Sequence, residues 1–436
     1  MSSVNSWREM RIRDLFETST PGDWGLDGTP EDGIPVLRST NFRNDGWIDF
    51  SDLAYRKIDE RRLFKRRVVK NSVLIEKSGG SPTQPAGRVV YCSQDFGGTA
   101  SNFIEVVKIK DAYCSRYIAF LLYFFYQSGL VLKYQQQTTG IINFKINEYV
   151  DEKVSVPAAK FEQTKIAEIL SMVDKAIEQT EALIAKQQRI KTGLMQDLLT
   201  HGIDADGNLR TEQTHEFKNS PLGRIPVEWE VCSLDSVANF VTRGSRGWAR
   251  YYATEGSLFL RIGNLTRQHI NMRLDDLVRV KPPELSEGNR TAVDTDDLLI
   301  SITADLGIIA VIPEGFESAY VNQHIALVRL VKSEVAPRFV GWFLSSRSGQ
   351  TQFEKLNESG AKAGLNLGTI KQLKIPKMEI AEQSRIAAIL DDATQKSANF
   401  SQRLTKLRAL KTALMQDLLT GRKRVTALLA DPPVPV

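Results

Sequence analysis

The sequence predicts an α+β protein in which two mixed α/β domains, here called head 1 and head 2, are joined by two long antiparallel coiled-coil helices in a pseudo-twofold internal repeat. One observation is that KTGLMQDLLT at residues 191–200 returns as KTALMQDLLT at residues 411–420, with nine of ten positions identical. A second is that EQTKIAEIL, starting at Glu162, returns at the same spacing as EQSRIAAIL, starting at Glu382. A period of 220 residues is far longer than a solenoid repeat, so we infer a duplicated two-part unit.

The repeat divides the chain of 436 residues into six expected segments. They are head 1 at residues 1–157, a first long helix at 158–200, a linker at 201–226, head 2 at 227–376, a second long helix at 377–420 and a tail at 421–436. The linker is polar and rich in turn formers, and we expect the tail to be poorly ordered. In the heads, apolar runs such as PVLRSTN at 35–41 and LFLRIGN at 258–264 align, while the loops between them differ.

Both repeated segments have the spacing of long amphipathic helices. Apolar residues recur at three- and four-residue steps between good helix formers, and neither stretch contains proline. About 40 residues at 1.5 Å each give a length of roughly 60 Å, and such a helix needs a partner along its length. We expect the two helices to pair with each other; the alternative is that each lies on its own globular domain. The expected interface residues are Ile166, Leu170, Val173, Ile177, Ile184, Leu194 and Leu198 in the first helix, and Ile386, Leu390, Phe400, Leu404, Leu414 and Leu418 in the second.

The composition is that of a folded, soluble protein. Hydrophobic residues make up 42% and charged residues 25% of the chain, and the formal net charge is +5. This charge leans basic but does not by itself identify a nucleic-acid binder. The widely spaced Cys92, Cys114 and Cys232 predict neither a zinc site nor a disulfide framework, and they suit the reducing cytosol. We expect no leader and no membrane span, so the predicted location is the cytoplasm.

The sequence lacks the motifs of common catalytic centres. There is no G-x-x-x-x-G-K-[ST] phosphate loop, no HExxH motif and no CxxC pair. Asp431-Pro432-Pro433 is similar to the start of an amino-methyltransferase motif, but Val434 stands where that motif needs an aromatic residue. Glu76-Lys77 could belong to a nuclease site, yet a solvated loop is the favoured interpretation. We therefore predict a non-catalytic protein with no cofactor or metal of its own.

Polar loops of the kind that contact nucleic acid occur in both heads. Basic side chains and backbone N–H groups of glycine-rich loops suit phosphate, and Asn and Gln can pair bidentately with adenine. The candidate DNA-binding residues of head 1 are Arg38, Asn41, Lys77, Ser78, Gly79, Ser81, Arg88, Gln136, Thr138, Asn143 and Lys145. Those of head 2 are Arg243, Arg246, Arg250, Arg261, Asn264, Arg267, Asn322, Gln323 with the adjacent His324, Lys362 and Asn366. For any one of them a structural or solvated role is the alternative.

The layout resembles that of the specificity subunits of type I restriction–modification systems, in which variable target-recognition domains alternate with long repeated helices. The likeness rests on the repeated KT(G/A)LMQDLLT and EQ(T/S)(K/R)IA(E/A)IL segments, on PLGRIPVEW at residues 221–229 and on the L-R-x-x-N strand ends. It extends over nearly the whole chain. Head 1 departs from the pattern because it does not begin with a recognisable G-x-I-P-x-x-W motif. The nearest counterpart of that motif in head 1 is STPGDW, which ends at Trp24.

The resemblance implies a role and a set of partners. Each head reads one half of a bipartite site in double-stranded DNA with a gap of unspecified bases, and the helices set the gap. Two modification subunits that methylate adenine bind around the helices, and restriction subunits that cleave DNA with ATP join through them. S-adenosylmethionine and ATP are then expected in the partner subunits. Two alternatives stay open: a structural coiled-coil protein whose heads bind protein, and a nuclease or methylase that acts alone.

Overall fold

The computed structural model of the chain describes residues 7–81, 83–138, 141–244, 246–281, 286–358 and 365–426. The chain divides into two compact units. Unit 1 combines Met1–Thr180 with Arg403–Val436 and contains head 1, whereas unit 2 is Glu181–Gln402 and contains the linker and head 2. Each of the two long helices therefore contributes one half to each unit.

Unit 1 begins with head 1. Its strands are β1 (Trp7–Arg11), β2 (Phe16–Pro21), β3 (Leu26–Asp27), β4 (Ile34–Leu37), β5 (Ala54–Lys57), β6 (Val73–Glu76), β7 (Ser78–Gly80), β8 (Val89–Tyr91), β9 (Thr99–Ala100), β10 (Ile104–Ile109), β11 (Gln135–Thr138), β12 (Ile141–Phe144) and β13 (Lys153–Pro157). Its helices are α1 (Glu60–Phe64), α2 (Ser115–Gln127) and α3 (Ile146–Tyr149), and the first long helix is α4 (Lys160–Thr200). The strands form sheets ordered β2-β10-β6-β8, β3-β5-β4-β9 and β11-β12-β7, and β1 pairs with β13.

Unit 2 has a closely similar order of elements. Its strands are β14 (Phe217–Ser220), β15 (Gly223–Pro226), β16 (Glu230–Ser233), β17 (Ala238–Arg243), β18 (Tyr252–Ala253), β19 (Ser257–Leu260), β20 (Arg279–Val280), β21 (Leu298–Ser301), β22 (Ile309–Val311), β23 (Ala319–Val321), β24 (Ile325–Leu330) and β25 (Lys374–Lys377). Its helices are α5 (Ser286–Thr291), α6 (Pro337–Ser345), α7 (Arg347–Glu358), α8 (Leu367–Gln372) and the second long helix, α9 (Ile380–Leu419). The sheets are ordered β17-β24-β21-β22 and β18-β20-β19-β23, and β14–β15 and β16–β25 are pairs.

The central sheet has the same strand order in both heads. In head 1, β10 lies between β2 and β6 with β8 outside, and in head 2, β24 lies between β17 and β21 with β22 outside. All these neighbours are antiparallel. Strands β6 and β21 are buried along their whole length, because their apolar side chains enter a packed core on each face of the sheet.

The two predicted long helices are present as α4 and α9. Each ends just before a glycine, Gly202 or Gly421, with φ of 66° and 72°. This left-handed conformation commonly ends a helix, and glycine adopts it without steric cost.

In unit 1 the two helix halves run antiparallel. The Asp174 carboxylate of α4 lies 2.6 Å from the Lys411 ammonium of α9. Nearer the start of α4, Glu162 binds Arg424, which follows the end of α9, with distances of 2.7 and 2.8 Å. Residue numbers thus rise along one helix as they fall along the other, which is the antiparallel pairing that the repeat predicts.

The helix halves also pack on the heads. In unit 2, Leu198 near the end of α4 and Ile386 near the start of α9 share one apolar core with Trp342 of α6. In unit 1, Ile166 and Leu418 share a core with α2 and the central sheet in the same way. The helices therefore pack on each other and on globular domains.

The residues expected at the helix interface are all buried or partly buried. Those in the buried class are Ile166, Leu170, Leu198, Ile386, Leu390 and Leu418. Those that are partly buried are Val173, Ile177, Ile184, Leu194, Phe400, Leu404 and Leu414. Towards the middles of the helices several of the most buried positions are polar, among them Thr180, Lys191 and Thr394.

Candidate nucleic-acid interface

In head 1, several strand ends meet at one edge of the central sheet. The first residue of β10, Ile104, pairs with Glu76, the last residue of β6, and its carbonyl accepts a hydrogen bond from Gly22 N, just after β2 (2.9 Å). The turn after β4 joins them, because Ser101 N donates to Leu37 O (2.8 Å). We call the residues beyond these strand ends edge 1: Gly22, residues 38–41, residues 77–81 and residues 101–103.

Head 2 repeats this arrangement with the same hydrogen bonds. Ile325 of β24 pairs with Ser301 of β21 and accepts from Gly244 N (3.2 Å), and Asn322 N donates to Leu260 O (3.0 Å). We call the corresponding residues edge 2: Gly244, residues 261–264, residues 302–304 and residues 322–324. Candidate residues that are far apart in the sequence thus come together at these edges. They are Arg38, Asn41, Lys77, Ser78, Gly79 and Ser81 in head 1, and Arg261, Asn264, Asn322 and Gln323 in head 2.

The L-R-x-x-N motif forms a braced turn. Asn41 Oδ1 accepts from Arg38 N (2.8 Å), and Asn41 Nδ2 donates to the carbonyls of Asp49 and Asp52 (3.0 and 2.8 Å). Asn264 makes the same three kinds of bond in head 2. Because both asparagines are buried and their amides are occupied, we assign them a structural role. The arginine of each motif keeps about a third of its side chain exposed.

Two polar loops of head 1 lie in one three-stranded sheet. Ser78 of β7 donates through its hydroxyl to Asn143 Oδ1 of β12 (2.6 Å), and Gln136 of β11 stands opposite Asn143 in the strand register. Gln136 is exposed. Lys77 binds the Glu105 carboxylate (2.9 Å), and Lys145 binds Glu148 (3.1 Å). The side chain of Thr138 lies outside the described residues.

Arg88 makes its contacts inside head 1. Its guanidinium binds both carboxylate oxygens of the buried Glu76 (2.6 and 2.9 Å) and donates to the carbonyls of Phe42 and Ser39 (2.8 and 2.9 Å). These bonds tie the turn after β4 to the end of β6. The Glu76 carboxylate, considered above for a nuclease site, is thus occupied by Arg88.

An exposed group of arginines follows β17 in head 2. Arg243, Arg246 and Arg250 are exposed, and within the described residues none of the three forms a salt bridge. The Arg250 guanidinium lies 4.7 Å from the centre of the Tyr251 ring. Arg267 is exposed too but, in contrast, it binds Asp305 and donates to Gln350 Oε1 (2.8 Å).

The remaining candidates of head 2 have local partners. Asn322 is buried, and its side-chain oxygen accepts from His324 N (3.1 Å). The Gln323 amide contacts the His324 ring (2.9 Å). Asn366 caps α8 by accepting from Thr369 N (2.9 Å). Lys362 lies outside the described residues.

A basic segment beside edge 1 was not among the predicted candidates. Residues 56–70 contain eight basic and two acidic residues, and Arg61 and Lys65 of this segment are exposed. Arg62 and Arg66 both bind the buried Asp23 carboxylate (2.7 Å each), and Asp23 directly follows Gly22 of edge 1. The run of charge in the sequence is the signal that would have identified this segment.

The EQ pair at the start of each long helix carries buried polar contacts that the sequence analysis also missed. Gln163 accepts from Cys114 N at the start of α2 (2.8 Å), and Gln383 accepts from Ala336 N at the start of α6 (2.9 Å). Each glutamine thus satisfies a backbone donor that a helix start leaves open. Both are fully buried, and their identity in the two copies was the available signal.

The glutamate of each pair binds an arginine that follows the other long helix. Glu162 binds Arg424, and Glu382 binds Arg210 of the linker (2.5 and 3.1 Å). Glu382 also accepts from Ile203 N (3.0 Å). These ion pairs join the start of each long helix to the segment that follows the other one, and within unit 2 part of the linker is therefore held against α9.

The lysine that opens each KT(G/A)LMQDLLT segment is buried but differently partnered. Lys411 forms its ion pair with Asp174, and burial raises the pKa of that carboxyl. Lys191 instead donates to Gln268 O (2.5 Å) and lies 4.8 Å from the centre of the Trp342 ring. Burial lowers the pKa of Lys191.

The expected entry to head 1 requires a correction. Trp7, and not Trp24, corresponds to Trp229 of head 2. A Cβ atom added to Gly421, after α9, would lie 3.1 Å from the Trp7 ring, and one added to Gly202, after α4, would lie 2.4 Å from Trp229. Moreover, β1 pairs with β13 as β16 pairs with β25. Sequence spacing favoured Trp24 because a Pro-Gly pair precedes it.

The described residues contain no cluster of three or more His, Cys, Asp or Glu side chains arranged to hold a metal ion. In the same part of the chain, every helix is too short or too polar to span a bilayer.

Comparisons with known proteins agree with this architecture. The chain is 24% identical over 430 residues to the putative type I restriction enzyme MjaX specificity subunit of Methanocaldococcus jannaschii, covering 96% of this chain and 94% of the relative. It is 24% identical over 316 residues to the type I restriction enzyme MjaVIII specificity subunit of the same organism, covering 70% and 71%.

Solved structures share the fold. The S subunit of a type I restriction–modification system from M. genitalium matches with a TM-score of 0.60 at 16% identity, over 95% of this chain and 96% of that one. A chain from a structural study of complex assembly and conformational transition in the type I system matches with a TM-score of 0.53 at 15% identity, over 96% and 99%. The model of the family described as type I restriction modification DNA specificity domain matches residues 5–187 and 226–409. The chain therefore belongs to the type I restriction–modification DNA specificity family, and its role is that of a non-catalytic DNA-recognition subunit.

Proposed function

We propose that each head reads one half of a bipartite, gapped site in double-stranded DNA through its edge. The observation that carries the proposal is that edges 1 and 2 share one backbone frame and differ in their exposed side chains. A common frame presents each head to the DNA in the same way, and different side chains select different bases.

Positioning on the DNA backbone falls to the exposed cations. In head 1 these include Arg61 and Lys65 of the basic segment at residues 56–70, and in head 2 they are the three arginines after β17. Arg38 and Arg261 are partly exposed and pair with Asp52 and Asp276, and they add to the positive charge at the edges. Cations of this kind bind phosphates of any sequence. Base selection is assigned to amide side chains that reach solvent, namely the exposed Gln136 in head 1 and the partly exposed Gln323 in head 2.

The paired helices set the gap and dock two modification subunits, which methylate adenine. The support is that Thr192 and Gln196 of α4 are exposed, as are their identical counterparts Thr412 and Gln416 of α9. Exposed residues need no identity for packing, so their repetition favours a partner present in two copies. Restriction subunits then join through the modification subunits. The partners bind S-adenosylmethionine and ATP, and the complex works in the cytoplasm.

Selection from a random library of duplex DNA tests the proposal. The full-length chain with its modification subunits is expected to enrich two defined half-sites separated by a constant number of unspecified base pairs. Methylation of an adenine in each half-site is expected when S-adenosylmethionine is added. A single continuous site, or no enrichment as expected of a protein-binding assembly factor, contradicts the proposal.

The gap-setting role has its own test. Four residues inserted into both α4 and α9, at the boundary between units 1 and 2, lengthen each helix by about 6 Å. Since the DNA axis rises about 3.4 Å per base pair, the selected gap is expected to widen by one or two base pairs while both half-sites stay the same. An unchanged gap contradicts this role for the helices.

A further inference from the structure

One position differs sharply in chemistry between the two matching edges. Phe103 and His324 each stand directly before the central strand. The carbonyl of each accepts a hydrogen bond from the residue that follows the neighbouring strand, Lys77 N in head 1 (2.7 Å) and Ile302 N in head 2 (3.0 Å). The two residues are therefore equivalent in the frame, although one is apolar and the other is an imidazole.

The surrounding turns are equivalent as well. In both heads the turn that holds this residue is closed by a bond from the fourth residue to the first, at 3.0 Å from Ile104 N to Ser101 O and 3.1 Å from Ile325 N to Asn322 O. Asn102 of head 1 thus corresponds to Gln323 of head 2, and Ser78 to Thr303.

The turn after the neighbouring strand has a positive φ at the same position in both heads, 104° at Gly79 and 58° at Ala304. A left-handed conformation costs energy for a residue other than glycine. Ala304 adopts it directly after Thr303, so head 2 maintains a strained turn beside that hydroxyl.

Hydrogen bonds in head 2 determine the form of the imidazole. Gln323 Nε2 can only donate, so His324 Nε2 accepts at 2.9 Å, and the proton of the neutral ring is on Nδ1. That N–H donates to Thr303 Oγ1 at 2.7 Å. The chain from Thr303 through His324 holds the Gln323 amide in one orientation, and it leaves the amide oxygen and one N–H of Gln323 for another partner.

Head 1 has no such chain at these positions. Phe103 is 54% exposed, and Asn102 beside it is exposed too. The Ser78 hydroxyl is bonded to Asn143 instead. Edge 1 therefore presents an aromatic ring at the position where edge 2 presents a braced amide.

We propose that this pair of positions selects a base in each half-site. Gln323, held by His324 and Thr303, pairs with an adenine, and Phe103 contacts the methyl group of a thymine. Adenine offers an N6 donor and an N7 acceptor that match the free oxygen and N–H of the amide, whereas the thymine methyl is the apolar feature of the major groove. His324 is a positioning residue, because it acts through Gln323. The inference rests on the proposed function.

Library selection with the full-length chain and its modification subunits tests head 2. Gln323→Ala is expected to lower the preference at one base pair of one half-site by about 5- to 150-fold, the range for one bidentate contact. His324→Ala is expected to lower it at the same base pair by less. In the double variant His324→Ala is expected to add nothing, because the two residues act as one chain.

The matched control for His324→Ala is His215→Ala. His215 lies in the linker, and its ring also bonds a threonine hydroxyl, that of Thr214 (2.9 Å). It is expected to leave every base preference unchanged. Should His324→Ala weaken both half-sites through misfolding, Thr303→Val removes only the hydroxyl acceptor. A reduced preference at the same base pair then supports the proposal, and an unchanged preference contradicts it.

Phe103→Ala tests head 1 in the same selection. The preference for thymine at one base pair of the other half-site is expected to fall by about 3- to 10-fold, as for the burial of one methyl group. Phe161→Ala is its control, since Phe161 is 47% exposed and is the second residue of α4, whose first residue, Lys160, binds the carbonyl of Asp111 just beyond the far end of β10. That variant is expected to keep every preference.

The outcomes separate this inference from the function on which it rests. A wild-type chain that selects no bipartite site refutes the proposed function. A wild-type chain that selects two half-sites, with Gln323→Ala and Phe103→Ala retaining every base preference, overturns the inference alone. Loss confined to one base pair of the expected half-site in each variant supports it.

Discussion

Units 1 and 2 bury the same polar residues of the repeated helices but expose different residues at their edges. Gln163 and Gln383 make the same cap, and Glu162 and Glu382 both bind an arginine. Buried polar groups must find partners, so substitutions there are costly in either copy. Exposed positions at the edges can bond water, so they do not require a partner within the protein. A comparison within one chain thus separates positions that hold the protein together from positions that are free to acquire specificity.

One pair of buried residues does not follow this rule, because its two members have different partners. Lys191 and Lys411 are identical in sequence and both buried, yet only Lys411 has a carboxylate partner. In unit 2 the nearby Asp391 is bound by Arg338 instead (2.5 Å). An identical residue in a duplicated motif therefore does not guarantee the same energetic role.

The largest expected effect comes from breaking a buried ion pair. Arg210→Met leaves the Glu382 carboxylate buried without its guanidinium, and we expect unit 2 to lose about 3–5 kcal/mol of unfolding free energy. Urea denaturation followed by tryptophan fluorescence measures the loss. Arg224→Met is the control, because its partner Glu212 and Arg224 itself are exposed, and it is expected to cost less than about 1 kcal/mol. Equal losses for the two variants argue against a shared buried polar frame.

Replacing the two lysines is expected to change the unfolding free energy in opposite directions. Lys411→Met removes the closest partner of the buried Asp174 and is expected to destabilise unit 1 by about 3 kcal/mol. Lys191→Met removes a buried cation that has no carboxylate partner in the described structure, and it is expected to stabilise unit 2 by about 1 kcal/mol. The same denaturation experiment distinguishes them. Destabilisation by both variants contradicts the difference drawn between the units.

The difference between Lys191 and Lys411 can also be tested through the pH dependence of the stability of unit 2. The pKa of Lys191 is lowered in the folded protein, so between that lowered value and the ordinary lysine value of 10.5 the unfolded chain binds more protons. Stability of unit 2 is therefore expected to rise with pH through this window. The rise should vanish in Lys191→Met, as measured by urea denaturation at a series of pH values below 10.5.

The smallest expected effect concerns the basic segment beside edge 1. Arg61→Gln combined with Lys65→Gln is expected to reduce the salt dependence of DNA binding by about two phosphate contacts, with base preferences unchanged. Fluorescence anisotropy at several salt concentrations measures it. The control replaces Arg422 and Lys423, an exposed basic pair of unit 1 near the end of α9. A loss of salt dependence in the control alone would place the phosphate contacts elsewhere.

The sequence predicts the long helices well because their stability depends on a local pattern. Apolar spacing, absence of proline and a terminal glycine are all visible within 40 or so residues, and α4 and α9 follow them. The strand frame of each head was also visible, since the alignment of residues 35–41 with residues 258–264 matches the observed β4 and β19 turns.

Other features depend on residues that the sequence keeps far apart. Glu162 and Arg424 are 262 positions distant, and no local pattern relates them. Asn41 looked suited to a base because amides pair with adenine, but its amide oxygen bonds Arg38 N and its amide nitrogen bonds the carbonyls of Asp49 and Asp52. Whether such a side chain contacts DNA or has a structural role depends on its exposure. Exposure is a result of tertiary packing, which the spacing of residues in the sequence does not predict.

The discontinuity of unit 1 has a consequence for synthesis. Unit 2 is a continuous stretch of chain, whereas unit 1 needs residues 403–426 to bring Arg424 to Glu162 and Gly421 to Trp7. Head 1 leaves the ribosome first, yet the apolar surface around Ile166 stays uncovered until the end of the second long helix has been synthesised. Translation that stops before residue 403 therefore releases a chain in which unit 1 is incomplete although most of it was made first. Its exposed apolar surface is where chaperones would bind.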